Sequence, residues 1–191
     1  MSKIVLALLA TICISMEAVA GPQLSLSAGV TKNLSGATSG TESDSYSLRI
    51  ANDLNDKGLN VDFITIQNRN TTSLSLNNQY EIGLTQRIPL NSNVIPYVRA
   101  GIGSFMPSTR NSQNYVLIEP GVVVRANSIP VFAKLDYAWG TGLNTDALDV
   151  TLGRVAIGYN FTKEVSVSVR RDYLRGDMKQ DMTWLQLGYR F

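Results

Sequence analysis

The feature that most constrains this chain is an alternation of period two that starts after Pro22 and runs to Phe191. Leu24, Leu26, Ala28 and Val30 lead the first of ten segments; Tyr46, Leu48 and Ile50 mark the second. Leu59, Val61 and Phe63, then Tyr80, Ile82 and Leu84, then Val98, Ala100 and Ile102 follow. Val116, Ile118, Val122 and Val124 form the sixth, and Val131, Ala133, Leu135 and Tyr137 the seventh. Val155, Ile157, Tyr159 and Phe161, then Val165, Val167 and Val169, then Leu185, Leu187, Tyr189 and Phe191 complete the set. Successive side chains of a strand point to opposite faces, so such alternation predicts strands with one apolar and one polar face.

The connections alternate too. Residues 35–43, 68–73, 106–114, 140–149 and 174–181 read as longer loops rich in Ser, Thr, Asn and Gly. Residues 55–58 (NDKG), 89–93, 126–128 and 162–164 read as tight links. This rhythm predicts an all-β fold, an antiparallel up-and-down barrel of ten strands, with eight as the alternative.

Polarity then chooses the barrel's solvent. The polar series holds Arg49, Asp62, Glu81, Arg99, Glu119, Lys134, Asp136, Arg154, Arg170 and Arg190. The apolar series reads as free of charge until Lys32 and Arg171, at the long-loop end. A Lys or Arg at mid-membrane costs ~2–4 kcal/mol and much less near the interface, which matches a face turned to lipid. Ser25, Ser27, Gly29, Gly101, Gly103 and Gly121 on the polar series suit a narrow interior. Tyr46, Phe105, Tyr115, Trp139, Tyr173 and Trp184 are expected to form one aromatic girdle, and Tyr97, Tyr159, Phe161, Tyr189 and Phe191 the other.

Lys3, the apolar run 4–14 and the small-residue site Ala18-Val19-Ala20 read as an export signal over residues 1–20, with residues 21–191 forming the barrel. The chain's one cysteine, Cys13, lies in that signal, so no disulfide framework is expected. A formal charge of +2 with no run of like charges argues against a nucleic-acid partner.

On these residues the chain resembles the small outer-membrane β-barrels of Gram-negative bacteria, the OmpA-transmembrane and opacity-protein type. PYVRAGIG (96–103) resembles their strand after a periplasmic turn. IEPGVVVR (118–125) with AKLDYAW (133–139) resembles the following hairpin, and LGYRF (187–191) their terminal assembly signal. The resemblance implies a place in the outer membrane, contact with its lipid and lipopolysaccharide, and assembly by machinery that reads Tyr189 and Phe191. Lys32 and Arg171 are candidates for lipopolysaccharide phosphates. The family's cell-wall-binding domain has no counterpart here, so wall anchoring is not implied.

Three function classes follow. A structural or surface-interaction barrel would have a mostly plugged lumen, closed by an ion-pair network of Arg49, Glu81, Arg99, Glu119, Lys134, Asp136, Arg154 and Arg170. Side chains fill barrels of roughly eight strands, and wide channels come at ~16, which favours the plug. A narrow, slow, weakly anion-favouring pore is the alternative. An enzyme is not expected: the chain has no histidine, so Ser–His and Asp–His constellations cannot be built. Lys134 with Asp136 reads as an ion pair, and Asp146 with Asp149 as loop solubility or a weak Ca²⁺ contact. No cofactor and no metal site is expected.

Overall fold

In a computed structural model, residues 22–34, 39–52, 58–70, 75–108, 112–143 and 149–191 are described. The export signal with Cys13, most of NDKG, and Asp146 lie outside the described residues. Ten strands form: β1 (Pro22–Asn33), β2 (Glu42–Asn52), β3 (Gly58–Asn70), β4 (Leu76–Arg87), β5 (Val94–Met106), β6 (Gln113–Arg125), β7 (Val131–Gly142), β8 (Asp149–Asn160), β9 (Val165–Gly176) and β10 (Gln180–Arg190). Each pairs antiparallel with its neighbours in sequence, and β1 pairs with β10, so the sheet closes. Closure leaves no edge strand, which a barrel in hydrocarbon requires because no water is there to satisfy free N–H and C=O groups. The strand count is ten, not eight.

The last strand is held along its whole length. Gln23 to Asn33 pair residue by residue with Arg190 to Gln180, and the Phe191 N–H donates to the Pro22 carbonyl at 3.0 Å. Tight links close one rim. In one, the Asn91 carboxamide oxygen accepts from the N–H groups of Asn93 and Val94, both at 2.8 Å. In another, the Thr162 hydroxyl accepts from the Glu164 and Val165 N–H groups and donates to the Glu164 carboxylate at 2.7 Å. That hydroxyl holds the exposed Glu164 carboxyl below its ordinary range.

At the other rim the strands run further than the apolar pattern suggests. β9 continues to Gly176 and β10 starts at Gln180, so the loop expected over 174–181 shrinks to 177–179, turned by Gly176 at φ 114°. Backbone pairing does not depend on side-chain polarity, so the ladder carries on past the last apolar residue.

The faces divide by parity. Leu26, Ile102, Ile118, Leu135, Ile157, Val169 and Leu185 point outward and are half or more exposed. Tyr46, Trp139 and Tyr173 lie outward towards the long-loop rim, and Tyr159, Phe161, Tyr189 and Phe191 towards the tight-turn rim. Four girdle assignments fail: Tyr97, Phe105, Tyr115 and Trp184 turn into the lumen, because each is in phase with the polar series of its strand. The outward face also carries more charge than Lys32 and Arg171. Glu42, Asp44, Arg69, Arg175 and Asp181 join them, all towards the long-loop rim.

Candidate functional site: the lumen

The inward series brings the ionisable residues onto one connected belt. Arg99 of β5 is its hub. Its Nη2 lies 2.7 Å from Asp62 Oδ1 and its Nε 3.0 Å from Asp62 Oδ2, so it grips a β3 carboxylate across β4. Its Nη1 pairs with Glu81 and lies 3.6 Å from Glu119, the residue facing it in the β5–β6 register. Arg49 meets the same Asp62 at 2.6 Å from the other side. Beyond Glu119, Arg154 Nη1 bridges Glu119 at 2.6 Å and Asp136 at 3.3 Å. Lys134 Nζ lies 3.1 Å from Asp136 and 3.9 Å from Glu119.

Two tyrosines extend the belt. The Tyr97 hydroxyl donates to Asp136 at 3.0 Å, and Lys134 sits 5.1 Å from the centre of its ring. The Tyr115 hydroxyl donates to Glu81 at 2.9 Å and accepts from Gln79 at 2.7 Å. Seven of the eight residues expected in a network are thus joined through these contacts. Arg170 stands apart. Its Nε pairs with Asp172 at 2.9 Å, and its guanidinium lies 5.0 Å from the centre of the Trp184 ring.

Glycine makes room for this belt to lie flat. A Cβ at Gly83 would collide with the Arg99 guanidinium, one at Gly121 with the Tyr97 ring, and one at Gly103 with Tyr115. Each long side chain therefore runs along the wall over a neighbouring strand's glycine instead of pointing at the barrel axis. The space left is a cavity of about 880 Å³. Its lining runs from Arg87, Arg125, Lys163 and Arg190 at the tight-turn rim to Asn77, Gln113 and Gly142 near the other.

Acids and bases are not equally placed around that space. The side chains of Asp62, Glu81, Glu119, Asp136 and Asp172 are 1–4% exposed. Those of Arg49, Lys134, Arg154 and Arg170 are 15–29% exposed, with Arg99 alone among the bases as deep as the acids. The belt is balanced in formal charge, yet the surface it offers to the lumen is cationic.

A second chemistry shares the lumen. Leu174, Met182 and Trp184 form a buried apolar cluster, with Val150, Leu152, Met178 and Ile66 packed against it. Ile66 comes from β3, while β1 and β2 separate β3 from β10 around the wall. The contact therefore crosses the interior and narrows it on the long-loop side of the belt.

Sequence reasoning missed this cluster, along with Asp172 as an ion-pair partner and the two tyrosines; Asp62 is on the inward series expected from the sequence, outside the eight-residue network. Parity carries the signal: Ile64 and Ile66 are in phase with Asp62, and Val150 and Leu152 with Arg154. The lipopolysaccharide candidates lie on the outward face. Lys32 faces Glu42 and Asp181 on its two neighbours. Arg171 lies 3.7 Å from Asp181 and stacks on Tyr173 at 5.4 Å. Tyr189 and Phe191 meet edge to face, with ring centres 4.8 Å apart.

No protein-family model matches the sequence, and no curated protein matches it. Solved structures do resemble the fold. An outer-membrane channel from Pseudomonas putida F1 superposes with a TM-score of 0.58 at 9% identity, covering 91% of this chain and 96% of that one. The beta domain of the Bordetella autotransporter BrkA superposes with a TM-score of 0.53 at 10% identity, covering 91% of this chain and 99% of that one. At such identities the likeness is one of architecture: this chain has the closed antiparallel fold of outer-membrane β-barrels.

Proposed function

We propose that this protein is exported by residues 1–20, inserts in a bacterial outer membrane, and forms a narrow channel there that favours anions. The observation that carries the reading is the unequal exposure of acids and bases around one cavity whose lining reaches from rim to rim. A solute in that space meets Arg49, Lys134, Arg154 and Arg170, while their counter-charges are held behind them. In a lumen of low dielectric that arrangement attracts an anion and repels a cation. The outward apolar face supports insertion, and the terminal Tyr189–Phe191 pair supports assembly by the outer-membrane machinery. Lys32 and Arg171, at the long-loop end, suit the phosphates of lipopolysaccharide.

The contact of Ile66 across the interior favours a second reading, a closed barrel with a structural or surface-interaction role. Planar-bilayer recording under a KCl gradient separates the two. Small unitary currents with a reversal potential on the chloride side support the channel. A cation-side potential overturns the selectivity, and an electrically silent, correctly folded barrel overturns the channel in favour of the closed reading.

A further inference from the structure

The belt and the apolar cluster are neighbours on one stretch of wall. On β8 and β9, Leu152 faces Leu174, and the next inward rung is Arg154 facing Asp172. On β9 and β10 the same rung continues with Asp172 facing Met182, and the rung below sets Arg170 against Trp184. Asp172 is committed: its carboxylate holds the Arg170 Nε at 2.9 Å and the Trp184 Nε1 at 3.0 Å, and it is almost inaccessible. Arg154 and Arg170 remain partly open to the cavity, and Val150, Leu152 and the edges of the buried Leu174 and Met182 line it beside them. An apolar sector adds nothing to the binding of a small inorganic ion, whereas it offers a dry surface to a solute that carries hydrocarbon.

We infer that the lumen binds small amphipathic organic anions, with a carboxylate on Arg154 and Arg170 and an aliphatic body on the Leu152–Leu174 rung beside Ile66. The size follows from strand geometry. Successive inward rungs are about 7 Å apart, two residues along a strand, which is the reach of a five- to six-carbon chain. Charge and apolar contact act together: the guanidinium groups fix the head, and the aliphatic wall replaces the water that a hydrocarbon tail would otherwise order. This inference rests on the channel reading and names its substrate class, yet binding and conduction are separately measurable.

The chain's two tryptophans make the test direct. Trp139 faces outward and Trp184 lies in the cluster, so Trp139→Phe leaves one reporter inside the lumen. In phosphatidylcholine nanodiscs, 6-bromohexanoate should quench Trp184 saturably through its bromine. The neutral 6-bromohexan-1-ol should bind at least tenfold more weakly, and acetate should fail to compete at tenfold excess. Arg154→Gln should weaken 6-bromohexanoate at least fivefold. Equal quenching by the alcohol, full competition by acetate, or no saturable quenching each overturns the inference. Should Trp139→Phe fold poorly, the unmutated barrel gives the same comparison over a constant Trp139 background. Chloride current without quenching overturns this site and keeps the channel. Quenching without current keeps the site and overturns the channel.

Discussion

The two faces of the same ten strands obey opposite rules. Outward, Ile102, Ile157 and Leu185 stand about 60% exposed with no protein over them. Inward, Asp62, Arg99, Glu119 and Asp136 are sealed from solvent at 3% or less. In a water-soluble protein, exposed aliphatics of this density would be a liability and fully buried charges a rarity. The comparison teaches what each face needs. The outward face needs only a hydrocarbon solvent and tolerates any aliphatic residue. The inward face depends on specific partners, because a buried charge is tolerable only when it is paired and hydrogen-bonded.

The contrast can be broken most severely at the hub. Arg99→Ala takes from Glu81 the cation it pairs with and leaves Asp62 to Arg49 and Glu119 to Arg154 and Lys134, and it should cost about 3–5 kcal/mol in urea unfolding from lipid, the range for removing one partner of a buried pair. Adding Glu119→Ala should recover part of that loss. Strict additivity in the double-mutant cycle would show that the two residues do not interact, despite facing each other in register.

A charge on the other face should do less. Val169 is 55% exposed and pairs outward with Ile157 and Leu185, so Val169→Arg should destabilise by ~2–4 kcal/mol. Val167→Arg lies two residues nearer the tight-turn rim, beside Tyr159, and should cost less by the same measurement. Equal costs at the two positions would mean that the membrane's midplane is misplaced along β9.

The mildest test uses glycine. Gly121→Ala pushes a methyl into the Tyr97 ring and should cost about 1–3 kcal/mol, as overpacking does. At Gly153, on the outward face, an added Cβ would lie 3.9 Å from Tyr137, an ordinary contact. Gly153→Ala should therefore be neutral or stabilise by up to about 1 kcal/mol. Similar losses at both positions would contradict the flat packing of Tyr97 over Gly121.

Much of the barrel is legible in the residues because period two is a local property. The alternation through Leu24–Val30 and Leu185–Phe191 assigns faces without knowledge of which strands meet. It is less informative where a residue type breaks its own rule. Tyr97, Tyr115 and Trp184 look like girdle aromatics by type and are lumen residues by phase. Phase is the better guide, since the pleat decides direction and chemistry does not.

The chain's alternation by itself determined that it would close as a barrel, which face would turn outward, and which ionisable groups would share the interior. Partner choice was decided only in three dimensions. Arg99 reaches past β4 to Asp62, Arg154 past β7 to Glu119, and Arg170 turns to Asp172 and Trp184. The meeting of Ile66 with Leu174, Met182 and Trp184 likewise spans the lumen. The physical reason is closure. Joining β1 to β10 curves the sheet, brings strands that are not neighbours within side-chain reach, and leaves the depth of each charge to the residues it finds across the curve.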